Sequence, residues 1–172
     1  MEIEVSVQAC FEKLQIDSAD VRESIEKLSQ DTWEMWFRQW LQALHCDLPL
    51  AETYELNVRL TNDEEIQTLN HQYRHQDRAT DVLAFAALEA GIPHPGNMPL
   101  YLGDIAISVE TAVRQAQQQQ HSEIVELAWL AAHGLLHLLG WDHPDEDSLQ
   151  DMLERQADLL QVVGLSPPTQ WA

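Results

Sequence analysis

The chain has 172 residues, 29 Asp and Glu against 9 Lys and Arg, a formal charge of −20 and 45% hydrophobic residues. That length suits one domain burying about two-thirds of its unfolded surface, and the apolar fraction excludes a disordered chain. A charge this negative repels polyanions, so any nucleic-acid function must rest on a local patch or a bound cation rather than on the overall field.

Ile3, Val5 and Val7 alternate with polar residues and predict a strand over residues 2–8. This opening segment is acidic and alternating, so it is not expected to be a signal peptide. Residues 18–30 predict a short helix. Trp33, Trp36, Phe37, Trp40, Leu41 and Leu44 fall at i, i+3, i+4, i+7 spacing and predict an amphipathic helix beginning near Asp31. Its aromatic stripe fits either the core, the commoner use, or a docking surface. Residues 54–60 alternate again and predict a second strand. Thr61 and Glu64 have capping-box spacing before a helix that carries Ile66, Leu69 and Tyr73 on one face. Residues 81–88 predict a short buried strand, 88–100 a Gly- and Pro-rich surface loop beside a site, and 101–109 another strand. Three helices follow, over 109–120, 122–139 and 147–163, with Gly140 as the stop of the second. Pro167 and Pro168 begin a loose tail, leaving residues 1–165 as one domain and 166–172 outside it. The order β, α, α, β, α, β, β, α, α, α fits an α+β fold.

No apolar run approaches the ~18 residues of a membrane span, so no membrane partner is expected. Cys10 and Cys46 are too few for a disulfide framework and form no C-x-x-C pair, which fits a reducing, cytoplasmic compartment.

The chemistry concentrates in His133-Gly-Leu-Leu-His137-Leu-Leu-Gly140-Trp-Asp142-His143. Residues four apart on a helix lie one above the other, so His133 and His137 can address one ion. A single H-x-x-x-H pair arises by chance roughly 0.4 times in a chain of this histidine content. A third histidine after a glycine turn is harder to attribute to chance. Unpaired imidazoles on a leucine-rich helix are also costly to bury, and ligation removes that cost. Three histidines plus an open position are what a catalytic zinc needs, and zinc lowers the pKa of its water toward ~7. Asp142 fits two roles, a carboxylate holding a ligand imidazole or a turn residue. Asp145, Glu146 and Asp147 are expected to start the last helix. Zinc peptidases of the H-E-x-x-H type carry a glutamate base where this chain has Gly134, which weighs against peptide hydrolysis.

Residues 71–78 hold two Arg and two His with one acid, the only positive island in the chain. Arg74 there can bind a phosphate or form a surface ion pair with Asp77 or Asp81; Arg78 has the same two options. No general base stands out. Asp104 and Asp142 are candidates, and an RNA 2′-OH is an alternative nucleophile to water.

HGLLHLLGWDH resembles the H-G-x-L-H-L-x-G-x-D-H signature of the YbeY family of metal-dependent endoribonucleases, the rRNA maturation factors. LNHQYRHQDRATDVLAF is similar to that family's second signature, L-N-x-x-Y-R-x-K-D-x-P-T-D-V-L-S-F, and LGDIAIS to its L-G-D-I-x-I-S strand. The likeness runs from about residue 54 to 163. It implies a small zincin-like α+β domain in which a four-stranded mixed sheet packs with five or six helices and the metal helix lies at the centre. It further implies one Zn2+ per chain on His133, His137 and His143, with Arg74 as the catalytic arginine of an adjacent cleft. The implied activity is single-strand-specific RNA cleavage in maturation of the 3′ end of small-subunit (16S) rRNA and in ribosome quality control. The implied partners are an rRNA precursor and ribosomal small-subunit components, not DNA. Gln76 stands where the family has Lys, Ala79 where it has Pro and Ala84 where it has Ser. Loss of the lysine weakens the cleft's hold on RNA; loss of the proline costs about 0.5–1 kcal/mol through the unfolded state. Two other readings keep the zinc: a non-catalytic ribosome-assembly factor in which the ion is structural, and a metallo-hydrolase of a non-RNA substrate.

Overall fold

Alternation along Ile3, Val5 and Val7 forms strand β1 (Glu2–Ala9). After a 3-10 turn come helices α1 (Ala19–Glu26) and α2 (Gln30–Ala43), strand β2 (Thr53–Thr61) and helix α3 (Asp63–Arg74). Strands β3 (Val82–Ala86) and β4 (Leu100–Ser108) precede α4 (Val109–Gln119), α5 (Glu123–Leu138) and α6 (Glu146–Val162). The structure, a computed structural model, describes residues 1–88 and 97–168. Most of the loop expected over 88–100 and the last four residues of the tail lie outside the described residues. The fold is α+β, with one four-stranded mixed sheet and six α-helices among the described residues. None of its helices is long and apolar enough to cross a membrane.

The sheet order is β1-β2-β4-β3, with β1, β2 and β4 parallel and β3 antiparallel to β4 at the edge. The register puts Val5 beside Leu56, and Val58 beside Ile105, so one sheet face is continuously apolar. Helices α2, α4 and α5 bury that face, and α6 packs against α5 and α2. Among the described residues the other face is covered only in part, where Ile66 and Leu69 of α3 pack on Leu83 and Ala106. Helix α5 sits at the centre, touching β3, β4, α4 and α6.

The tryptophan stripe is core. Trp33, Trp36, Phe37 and Trp40 are all buried and pack ring against ring, Phe37 edge-on to Trp40 with centroids 5.1 Å apart. Burying a side chain of this kind contributes about 1.5–3 kcal/mol. Trp40 also donates its indole N–H to the carbonyl of Leu159 at 2.8 Å, tying α2 to α6.

Three local expectations are corrected. The N-cap of α3 is Asn62, whose side chain accepts from the N–H of Glu65 at 2.9 Å, not Thr61. Thr61 ends β2 instead, and its hydroxyl donates to the Glu65 carboxylate. Strand β3 is shorter than residues 81–88, and Val109 opens α4 rather than closing β4.

Candidate metal centre

Helix α5 is apolar almost all round because it is buried on several sides, and only His133 and His137 interrupt its middle and end. Gly134, between them, faces the sheet. A Cβ there would lie 2.8 Å from Cγ2 of Ile105, so the helix approaches β4 closely only because this residue has no side chain. Gly134 also lines the histidine cleft, and any side chain there would first have to displace Ile105.

The helix then stops in a Schellman turn. Gly140 has φ +95°, its N–H donates to the carbonyl of His137 at 3.0 Å, and the Trp141 N–H donates to that of Leu136 at 3.0 Å. Four residues after Trp141, Asp145 caps α6, its side chain accepting from the Ser148 N–H while Ser148 accepts from the Asp145 N–H. These two caps bracket the segment and fix where His143 returns. The Asp142 carboxylate accepts the backbone N–H of His143 at 2.8 Å, the turn role of the two expected for it.

The result is three imidazoles whose donor nitrogens all lie within 4.8 Å of one another, a group able to hold a metal ion. Nε2 of His133 and Nε2 of His137 are 3.0 Å apart. Gln156, fully buried on α6, sets the tautomer. Its amide N–H2 donates to the carbonyl of Trp129 at 2.8 Å, which turns Oε1 toward Nδ1 of His133 at 3.2 Å. Nδ1 must then carry the proton, leaving the Nε2 lone pair facing its neighbour. Two facing imidazole nitrogens at that distance need a proton or a cation between them. The donor set therefore fits a borderline-soft divalent metal such as zinc. Gln156 went unseen in the sequence because nothing in a 13-residue gap from His143 marks a glutamine as buried. We expect Gln156→Leu to weaken zinc affinity about 10–100-fold in a chelator competition, as loss of a partner that orients a ligand does. Unchanged affinity would remove Gln156 from the site.

Burial, and then the neighbouring His137, push His133 down to about 4; its bond to Gln156 acts the other way. Burial and then His143 also lower His137. Both imidazoles are held neutral, the form that ligates. In the metal-free chain, a histidine whose folded pKa lies below its unfolded 6.5 contributes full stability above 6.5 and loses it as pH falls toward 4. From pH 7 to 5, the wild type should therefore lose about 2 kcal/mol more unfolding free energy than His133→Gln, measured by urea titration. Equal losses in the two proteins would contradict a buried neutral His133.

Arg74 is the last residue of α3. The helix ends on His75, in the left-handed conformation at φ 58°, and the buried Asn70 side chain donates to the carbonyl of Arg78 at 2.9 Å, pinning the return loop. Arg74 is thereby presented to the same cleft of about 520 Å³ that the three histidines line. Among the described residues it forms no ion pair, with Asp77 and Asp81 or otherwise. Its positive charge is felt at His137. Arg78 does not line this cleft; its guanidinium donates to Oε1 of Gln76 at 2.8 Å. Of the candidate bases, Asp142 lines the cleft, whereas Asp104 lies on the open sheet face and accepts from the Asn57 amide at 2.9 Å. Asp81, not singled out in the sequence as a site residue, lines the cleft too, but its carboxylate is occupied by the N–H of Val82 and the amide of Gln115.

A family model described as Endoribonuclease YbeY matches residues 18–164. Among curated relatives, the Endoribonuclease YbeY of Trichormus variabilis is 54% identical over 169 residues, covering 96% of each chain. That of Acaryochloris marina is 47% identical, covering 98% of this chain and 99% of its own. A solution structure of a Thermotoga maritima protein superposes with a TM-score of 0.53 at 22% identity, covering 93% of this chain and 89% of that one, which supports the fold alone.

Proposed function

The chain belongs to the Endoribonuclease YbeY family, and from that premise we propose that it is a zinc-dependent, single-strand-specific endoribonuclease. Its substrate is the precursor of small-subunit (16S) rRNA, cut during maturation of the 3′ end and in ribosome quality control in the cytoplasm. The observation that carries this is the meeting, in one cleft, of three imidazole donors with an arginine that has no carboxylate partner among the described residues.

His133, His137 and His143 would hold the ion, and zinc bound there supplies a Lewis acid for hydrolysis of a phosphodiester. The chain's own groups do the rest. Arg74 presents its guanidinium to this cleft, where it would bind the oxygens of a phosphate bidentately. Because that charge is not spent on a carboxylate, it is available as negative charge builds on the phosphate. Gln156 and the Schellman turn hold the imidazoles in place, and Gly134 keeps α5 tight on the sheet. Asp142 stands in the cleft with one carboxylate oxygen on the His143 N–H. The set of three donors in an open cleft favours catalysis over a structural ion, which closes its coordination with four protein ligands.

A net charge of −20 works against RNA capture, so small-subunit ribosomal components are the proposed means of delivery. The test is incubation of the zinc-loaded chain with a small-subunit rRNA fragment carrying its 3′ extension, single-stranded or annealed to a complement. Cleavage of the single strand at the maturation site is expected. No cleavage, or equal cleavage of the duplex, would contradict the assignment.

A further inference from the structure

The metal cleft does not end at the histidines. Tyr73 and Phe85 line it, and both also line a second cleft of about 370 Å³ on the partly uncovered sheet face, floored by Asn57, Asp104 and Ala106. The two clefts thus share an aromatic rim that crosses the edge strand β3. Tyr73 precedes Arg74 on α3 and is 64% exposed, unusual for a large aromatic ring. It meets Phe85 edge-on, with ring centroids 5.1 Å apart and planes at 67°, a contact that holds the ring without covering it face to face.

We infer that Tyr73, braced by Phe85 at the rim between the two clefts, stacks an unpaired base of the RNA strand next to the phosphate held by Arg74. This rests on the endoribonuclease assignment above. The sequence neighbour of the phosphate-binding arginine is placed to take the adjoining nucleotide, and a continuous path leads on over β3. Charge also bears on the choice of ligand. In a chain of −20, phosphate attraction is confined to a few cations, so affinity for a single strand needs a contribution that does not depend on net charge. Stacking is such a contribution and tolerates any base. It also selects for single strands, because a paired base is already stacked on its neighbours and cannot reach the ring.

The test uses the zinc-loaded full chain and a short, labelled single strand made resistant to cleavage by 2′-O-methyl phosphorothioate linkages, with binding read by fluorescence anisotropy. Tyr73→Ala should weaken binding about tenfold, and Tyr73→Trp should keep it within about twofold. A single abasic residue stepped along the strand should weaken wild-type binding at one position by the same factor and leave Tyr73→Ala indifferent there. The slope of log affinity against log salt should be unchanged in Tyr73→Ala, and shallower by roughly 0.7 in Arg74→Ala. Tyr73 is exposed, so its truncation leaves the core intact. Wild-type affinity in Tyr73→Ala would overturn the stacking site while leaving the nuclease assignment standing. So would a loss that ignores base removal, which would assign this face to a protein partner. A wild type that neither binds nor cleaves any single strand would overturn both.

Discussion

Zinc at a thousand times its dissociation constant should raise the unfolding midpoint of the wild-type chain by about 10 °C, and should leave that of His137→Ala where it was. An ion that binds the folded chain alone stabilises it by RT ln(1 + [L]/Kd), about 4 kcal/mol at that excess, and a chain of this size moves roughly 2–4 °C per kcal/mol. His137 is the pivotal donor of the proposed site. Its Nε2 faces that of His133 at 3.0 Å, and His143 approaches its ring to 5.5 Å between centroids. Removing it leaves two imidazoles with no nitrogen between them, too few to displace the hydration of a divalent ion at micromolar concentration. The metal-free variant should remain folded, because His137 is only half-buried, its part in the Schellman turn is a backbone carbonyl that alanine keeps, and the α6 cap is an Asp145–Ser148 bond. An equal zinc-dependent shift in both proteins would place the ion elsewhere.

Arg74→Ala should lower the rate of RNA cleavage about a hundredfold with zinc affinity no weaker than wild type. The guanidinium has no carboxylate to neutralise it among the described residues, so its charge is fully available to a phosphate. It also repels cationic forms of the site, as its downward pull on His137 records, so losing it can only ease the binding of a cation. A nuclease that lost zinc together with Arg74 would mean that the residue supports the fold of the site rather than the reaction. Arg74→Lys keeps the charge without the fork and should fall between the two.

Much of this was legible in the residues. Period-two stretches around Val5 and Val58, and the i, i+3, i+4 stripe of Trp33 to Leu41, marked elements whose type depends on burial of one face, and the structure buries those faces. The convergence of His133, His137 and His143 followed from helix periodicity plus one glycine able to adopt positive φ at the helix end. What escaped was whatever depends on contacts distant in sequence. The partner of His133 is a glutamine 23 residues on, the reason for Gly134 is an isoleucine on β4, and the rim made by Tyr73 and Phe85 exists only because β3 pairs with β4 at the sheet edge. The cap of α3 was misplaced by one residue because Thr61 and Asn62 are both good caps, and the choice fell to the length of β2.

Whether the three-histidine cleft cuts RNA is tested most directly by cleavage of a single-stranded rRNA fragment by zinc-loaded wild type and by His137→Ala, purified side by side. Cleavage by the wild type alone is the expected result and excludes a contaminating nuclease. Equal cleavage by both, or by neither, would contradict it and move the chain toward a non-catalytic role in ribosome assembly.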